Sequence, residues 1–577
     1  AVKACIAHCL ASEGAYTPSD FPRARVSMRT VEALPYPALI KDLYIATPMQ
    51  AGLLFHGLLD GTGTSYTTQT YCDLVGRIDR DAFRRAWQQV VDRHDILRTC
   101  FVGLDSEQVH QLVLREATLP VVEEDWREVP EAEQRERLSE WRAADKARGF
   151  AFDQAPLMRL TLIRLSEARY HFVWSHHHVL LDGWCMPIIF GEMLACYRAF
   201  VHGDAVSLGP VAPYGNYIGW LLKQDQASAR TFWREQLAGL EAPTPLGIDK
   251  LPVAGGRQGF RDREFSLPVA VSERLNELAR SSRCTLNVVV QAAWAYLLHR
   301  YSGAPDVVFG ATISGRPAEL AGIEQMLGLF INTIPVRVRF DEGLSIADLL
   351  RDLHAGNLRR EEYGYFSLAE IQALSAIPNG VSLFDSLLVF ENYPVDQALL
   401  SESRHAAGFE VESVESNEYT NYALTLVVHY RQQLAVSIKY RGEQFSEETI
   451  ERLLGHFRKI LEGMAQASEG EQLRTVDLLT ESERRALLFD WNATAADYPR
   501  DKCIHELFEE QVALQPDAVA VVFEDECLTY NELNERANRL AHYLIAQGVR
   551  PDSVVGLFLE RSLDMMVGVL GILKAAG

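Results

Sequence analysis

The run Ser175-His176-His177-His178-Val179-Leu180-Leu181-Asp182-Gly183-Trp184 concentrates the side chains of this chain best suited to chemistry. It fits the pattern HHxxxDG in one register only. With His177 and His178 as the pair, Asp182 takes the acidic position; starting one residue earlier would put Leu181 there. A histidine beside an apolar run, with a carboxylate nearby, can take the proton of an amine or hydroxyl as it attacks an acyl group. His178 is therefore the candidate general base and acyl transfer the candidate reaction. The competing reading is a satisfied core histidine. Asp182 could orient His178, bind a metal, or cap the helix that begins near Met186. No third and fourth ligands follow at helical spacing, which argues against a metal.

The flanking residues predict how this run is held. Leu157–Leu165 and Arg169–His176 read as two strands joined by Ser166-Glu167-Ala168. In the second, Tyr170, Phe172 and Trp174 share one face, and His171, Val173 and Ser175 the other. The histidines thus sit where a strand ends and a loop begins, a common place for a site. A helix follows, with Pro187 in its first turn. Upstream, Thr68 to Val75 reads as β-strand. Asp79 caps a helix bearing Phe83, Ala86, Trp87, Val90 and Val91. That helix ends at Arg93-His94-Asp95-Ile96-Leu97-Arg98-Thr99. The plain reading of these cations is a complement to the helix dipole; the sharper one is that an arginine among them pairs with a buried Asp182. Residues 130–147 read as a charged, solvated helix. In Gly328-Leu329-Phe330-Ile331-Asn332-Thr333, an apolar strand ends in polar groups that could line a channel. Ser314-Gly315-Arg316-Pro317 reads as a turn that could lie beside it.

At 577 residues the chain exceeds one hydrophobic core. Its composition, 48% hydrophobic and 23% charged, is that of a globular protein. No apolar run approaches bilayer length, and the start lacks a signal-peptide pattern. It also lacks an initiator Met, the expectation for a piece of a longer chain. A formal net charge of −22 argues against nucleic acid as the main partner. The nine cysteines form neither CxxC nor zinc-finger spacing, and read as buried free thiols in a reducing cytosol. Gly203 to Pro213 reads as a hinge between two lobes of α/β alternation. Residues 464–500 read as a polar linker, after which Leu528 to Leu533 opens an amphipathic helix.

Six segments in this order resemble the condensation domain of nonribosomal peptide synthetases. They are Thr47-Pro48-Met49-Gln50, Arg93 to Thr99, His177 to Gly183, Tyr214-Gly215-Asn216-Tyr217, Gly328 to Thr333, and Phe384-Asp385-Ser386-Leu387 with Phe390-Glu391-Asn392-Tyr393-Pro394. Residues 1–22 resemble the tail of a preceding epimerisation domain, 23–42 a linker, and 501–577 the opening of an adenylation domain. The resemblance implies an α/β fold of two chloramphenicol-acetyltransferase-like lobes, 43–205 and 206–465, set in a V around a tunnel, with 466–500 a linker.

It further implies peptide-bond formation. Donor and acceptor carrier proteins would deliver acyl groups on 4′-phosphopantetheine thioesters, with no cofactor bound covalently to this chain. An adjoining adenylation domain would be the other partner. His178 would act at the tunnel centre, as base or by positioning the amine. His177, Asp182 and Gly183 would be structural, with Asp182 held by Arg98 or else Arg93. Trp184, Ser314, Asn332 and Thr333 would line the tunnel. The DxxxxD pattern of heterocyclisation relatives is absent, as is the Glu-Gly-His-Gly-Arg-type segment of epimerisation relatives. No carrier-protein serine motif and no ATP-binding loop is found. The segment 47–56 and the epimerisation-like tail point to a donor ending in a D-residue. A cytoplasmic monomeric fragment of a larger enzyme, contacting neither membrane nor nucleic acid, is the expectation. The alternatives are a free-standing HxxxD acyltransferase using acyl-CoA and a non-catalytic docking scaffold.

Overall fold

The structure is a computed structural model that describes residues 16–59, 64–106, 108–248, 259–378, 380–391, 408–417, 420–468 and 470–576. The chain divides into two compact bodies, one ending at Thr480 and one beginning at Glu481.

The first half of the first body comprises β1 (Ile40–Ile45), α1 (Pro48–Leu59), β2 (Thr67–Gly76), α2 (Arg80–Arg93), β3 (Thr99–Val102), β4 (His110–Leu114), β5 (Val121–Asp125), α3 (Glu131–Ala147), β6 (Met158–Ser166), β7 (Arg169–His177) and α4 (Cys185–His202). The second half comprises α5 (Gly215–Leu221), α6 (Gln226–Leu237), β8 (Phe260–Ser266), α7 (Val269–Ser281), α8 (Leu286–Ser302), β9 (Asp306–Ile313), β10 (Asn332–Arg339), α9 (Ile346–Glu362), β11 (Ser386–Glu391), β12 (Phe409–Asn417), β13 (Leu424–Tyr430), β14 (Leu434–Arg441) and α10 (Glu447–Gln466). The strands form a five-stranded sheet in the order β12-β2-β7-β6-β5, a six-stranded sheet β10-β9-β11-β13-β14-β8, and a small sheet β1-β4-β3. This is the two-lobed α/β architecture expected.

The alternation in β7 determines what each face of its sheet does. Phe172 and Trp174 pack with Trp87 of α2, at ring separations of 5.7 and 5.3 Å, and Trp174 meets Phe190 of α4 edge-on. On the opposite face, Ser175 donates to Asp145 of α3 at 2.5 Å, and Arg159 Nε of β6 donates to the same carboxylate at 2.6 Å. Residues 131–147 are helical as expected, but Asp145 is buried rather than solvated. Arg159, Ser175 and Gln69 satisfy the carboxylate, which is why it can lie beneath the helix. In the second half, α8 is apolar on all sides and buried along most of its length, the mark of a central core helix.

Three expected boundaries shift. Residues 23–42 do not behave as a linker: Ala24, Val31, Leu34 and Ile40 share a core with Leu43, Cys100 and Leu112. Beyond residue 466, Leu473, Val476 and Leu478 are buried in the second core, so the chain stays packed to Thr480. Within the range read as the second lobe, β12 crosses back and pairs antiparallel with β2. Long-range strand pairing of this kind leaves no local pattern in the sequence. Residues 203–214 carry neither helix nor strand, consistent with a connector.

The second body contains α11 (Ile504–Leu514), a β15–β16 hairpin (Val519–Phe523, Glu526–Thr529), α12 (Tyr530–Ala546) and α13 (Leu563–Ala576). Thr529 and Glu532 form a reciprocal capping box at the start of α12. Four described cysteines are buried, but Cys503 and Cys527 of this body are exposed. Among the described residues no helix is long and apolar enough to cross a membrane. Residues 1–15, Cys5 and Cys9 among them, and Asn392-Tyr393-Pro394 lie outside the described residues.

Asp145 supplies a test of this packing. Its carboxyl is pushed up by burial, but the Arg159, Ser175 and Gln69 hydrogen bonds outweigh this and hold it below its ordinary value. A depressed folded-state pKa stabilises the fold above the unfolded value of about 3.9, and that stabilisation is lost as pH falls through the folded one. Asp145→Asn should therefore reduce stability at pH 7 and flatten its acid dependence below about pH 4 relative to wild type. Denaturant melts at several pH values check this.

Candidate active site

The three consecutive histidines meet three environments. His176 shares the inward face of β7 with Trp174 and stacks on it, ring centroids 4.4 Å apart. His177, the last residue of β7, is fully buried. Its Nε2 lies 2.9 Å from the carbonyl of Ser65 and must carry the proton, while its Nδ1 accepts the N–H of Val179 at 3.2 Å. The Phe152 ring packs against it in a T-shaped arrangement, ring centroids 4.9 Å apart. Both His177 nitrogens are thus occupied. His178 falls in the turn after the strand and is only half-buried. Its backbone N–H donates to Tyr66 O at 3.0 Å, and its carbonyl accepts the N–H of Leu181 at 3.3 Å. The structure therefore places His178, with its backbone held at both ends, just beyond the end of the strand.

The loop is anchored by Asp182, whose burial is nearly complete. Arg316 Nη2 donates to Oδ1 at 3.1 Å, and the backbone N–H of Phe330 donates to Oδ2 at 3.0 Å. Arg316 Nη1 donates to the carbonyls of Ile323 and Met326, and its guanidinium lies 4.1 Å over the Phe330 ring. Cys185 completes the cluster: its Sγ lies 3.4 Å from Asp182 Oδ1 and 3.2 Å from Gly328 O, and accepts the Gly328 N–H at 3.4 Å. Burial, reinforced by the adjacent Asp182 charge, pushes the Cys185 thiol far above its ordinary pKa, so it is a neutral packing and hydrogen-bonding group, not a nucleophile.

The arginine holding Asp182 is thus Arg316, not Arg98 or Arg93. Arg98 is consumed at the end of α2, where it donates to Val91 O, Leu114 O and Arg115 O and pairs with Asp95 at 2.8 Å. Arg93 Nε and His94 Nε2 converge on Glu192 of α4 at 3.0 and 2.7 Å. Burial raises the Glu192 carboxyl, but these partners outweigh it and hold the group below its usual range. The segment is a helix terminus clipped to its neighbour by these side-chain contacts. Gly183 is half-buried, and its φ lies outside the left-handed region.

A cleft of about 430 Å³ opens beside this anchor, lined from the first half by Thr47, Pro48 and Met49 and from the second by Tyr217, Trp220, Arg316, Phe330 and Tyr365 among others. Ser314 and Asn332 are among the residues lining it. The Asn332 amide is committed, however: it donates to Gly364 O and Phe366 O at 2.7 and 2.9 Å. Thr333 is buried and Trp184 half-buried, and neither is among the residues lining this cleft. Among the described residues no three His, Cys, Asp or Glu side chains cluster to hold a metal.

Besides Arg316, two further contributions come from segments that carry the family resemblance but whose contacts the sequence leaves unassigned. Gln50 and Thr47 cap α1 reciprocally, and Gln50 Nε2 also donates to Val179 O at 3.1 Å, immediately after His178. The T-x-x-Q spacing of a capping box was the available signal. The second is the fit of Tyr214 against Gly328: Tyr214 Oη donates to Leu329 O at 2.7 Å, and its ring fills the space a Cβ on Gly328 would need.

Sequence and fold comparisons extend this picture. The family described as Condensation domain matches residues 40–488, and that described as AMP-binding enzyme matches residues 508–577. A linear gramicidin synthase polypeptide of Brevibacillus parabrevis is 43% identical over all of this chain and 7% of its own length. Bacitracin synthase 3 of Bacillus licheniformis is 37% identical over 99% of this chain and 9% of its own. The chain thus spans about a tenth or less of these relatives. The solved nonribosomal peptide synthetase FmoA3 superposes with a TM-score of 0.73 at 23% identity, over 94% of this chain and 55% of that one. The first condensation domain of the calcium-dependent antibiotic synthetase gives 0.59 at 21% identity, over 76% and 100%.

Replacing Arg316 with Met should leave Asp182 buried without its counter-charge and cost about 3–5 kcal/mol of stability. Asp182→Asn combined with Arg316→Met should recover part of that loss, giving a coupling of about 1–3 kcal/mol in a double-mutant cycle. Strictly additive losses in denaturant melts would mean that the two side chains do not act as a pair.

Proposed function

The chain belongs to the condensation-domain family of nonribosomal peptide synthetases, and on that premise we propose that its first body joins two carrier-bound acyl groups through a peptide bond. The amine of an aminoacyl group on an acceptor carrier attacks the thioester carbonyl of the donor. The C–N bond forms, the C–S bond breaks, and the donor chain passes to the acceptor. The attacking nitrogen gives up one proton and the departing thiolate takes one, so no net proton is consumed. Both acyl groups would arrive on 4′-phosphopantetheine arms of carrier proteins, making that group part of the substrates rather than a resident of this chain.

The observation that carries this reading is the position of His178. It is the one histidine of the three left in a turn and half-buried, with its backbone pinned from Tyr66 and Leu181. A group so held can accept the amine proton or orient the amine for attack. His177 keeps the loop rigid from within the strand. Asp182 contributes through the loop it anchors and does not reach the reacting atoms. Ser314 at the cleft wall is a candidate contact for the substrate. Residues 508–577 would be the opening of the adenylation domain that loads the acceptor carrier. The segment 47–56 supports a donor ending in a D-residue.

With both carriers loaded, His178→Ala should lower dipeptidyl-carrier formation by about 10²–10⁴-fold while leaving the melting temperature unchanged. Mass spectrometry of the acceptor carrier reads the product directly, and parallel D- and L-ended donors should show faster transfer from the D form. A wild-type rate from His178→Ala would remove His178 from the chemistry. Efficient turnover of a free CoA thioester would favour an acyl-CoA transferase instead.

A further inference from the structure

Arg360, in the last turn of α9, is 4% exposed yet faces no carboxylate within ion-pair distance among the described residues. Its Nη2 donates to Asn357 Oδ1 at 2.6 Å; its Nε has no acceptor, and its Nη1 donates to no described residue. Helical side chains lean toward the N-terminus, and this one runs back over Gly356, one turn earlier. A Cβ on Gly356 would come within 3.0 and 3.1 Å of the two terminal nitrogens. The glycine, costly inside a helix, therefore makes the room the guanidinium occupies. Burial drives the Arg360 pKa down to about 10, the neighbouring Glu361 charge offsetting only part of this.

The guanidinium borders a cavity of about 280 Å³ between α6, β10 and α9, floored by Val338, Leu349 and Leu353. The other arginine of the floor, Arg337, is already neutralised by Asp306, at 2.9 and 2.6 Å, and donates to two carbonyls besides. The remaining charges, Glu235, Asp352 and Arg339, are exposed at the rim, where solvent and salt screen them. Among the described residues lining this cavity, the buried charge lacking a counter-charge is that of Arg360, and a buried cation of this kind is costly unless an anion meets it. A cavity of this size holds several waters' worth of volume, enough for a tetrahedral oxyanion.

We infer that this cavity is a binding site for a small free oxyanion of the phosphate class, with Arg360 Nη1 as its principal donor. None of the residues lining it lines the cleft beside the Asp182 anchor, and the inference does not depend on the reaction assigned there. Inorganic phosphate is the probe, titrated against chloride at matched ionic strength on the whole chain, with melting temperature and 31P NMR line width as readouts. The wild type should show a saturable rise in melting temperature and saturable phosphate broadening. Arg360→Met, which removes the uncompensated charge, should melt at or above the wild type in chloride and lose both phosphate responses. Gly356→Ala keeps the charge but intrudes on the guanidinium, and should weaken phosphate binding at least tenfold; it decides the matter should Arg360→Met not fold. Absence of a wild-type response would overturn the inference. So would an equal response in Arg360→Met, or, where that variant does not fold, in Gly356→Ala.

Discussion

Asp182 and Arg316 are 134 positions apart in the chain, and the geometry of the histidine loop depends on their meeting. A carboxylate almost fully buried needs its cation, and the cation needs its carboxylate. The pair is not isolated. The second carboxylate oxygen takes a backbone N–H from Phe330, and Cys185 bridges the same carboxylate to both polar backbone groups of Gly328. The first half of the protein therefore fixes its own loop by gripping the second half. Arg316 and Phe330 also form part of the cleft wall, so the anchor and the binding surface share the same atoms.

Steric fit makes this grip specific. The Tyr214 ring rests where any side chain on Gly328 would be, and Gly315, at φ +60°, leaves no space for a Cβ against the Phe330 carbonyl. Phe330 lies beneath the Arg316 guanidinium and meets the Tyr214 and Tyr217 rings at 5.2 and 4.8 Å. A second tie between the halves is made elsewhere, by the pairing of β12 with β2. One tie is electrostatic and local to the site, the other a strand ladder at the edge of the sheet.

The alternation of β7, the cap at Asp79 and the helix after Trp184 were legible because each depends on neighbours within a few residues. The residue pair HHxxxDG was legible for the same reason. What escaped were properties that only the tertiary fold creates. That Asp182 would need an arginine followed from charge burial alone, but which arginine did not. Arg98 offered itself by its position in a helix-terminal cluster, yet the carbonyls at that terminus already consume its donors. Arg316 sat in a segment that reads as a turn beside the channel, with nothing in it to mark a partner for Asp182. Likewise β12 belongs by sequence to the second half and by hydrogen bonding to the first, and residues 23–42 look like a linker until their apolar side chains find Leu43 and Leu112.

The run of three histidines shows how closely site and fold are linked. Successive side chains on a strand face opposite ways, so a slip of one residue would exchange the environments of His176 and His177. The register is held on both sides: His177 lies opposite Thr67 of β2, and His176 opposite Met158 of β6. It is reinforced by Trp174, whose ring must reach Trp87 on one face, and by Ser175, which must reach Asp145 on the other. Only in this register does the strand end on a histidine whose two nitrogens are both occupied. The next residue then leaves the sheet, and His178 is half-exposed because His177 is not. The different placement of three chemically identical histidines is thus made by strand register, and the buried anchor at Asp182 holds the loop that carries His178.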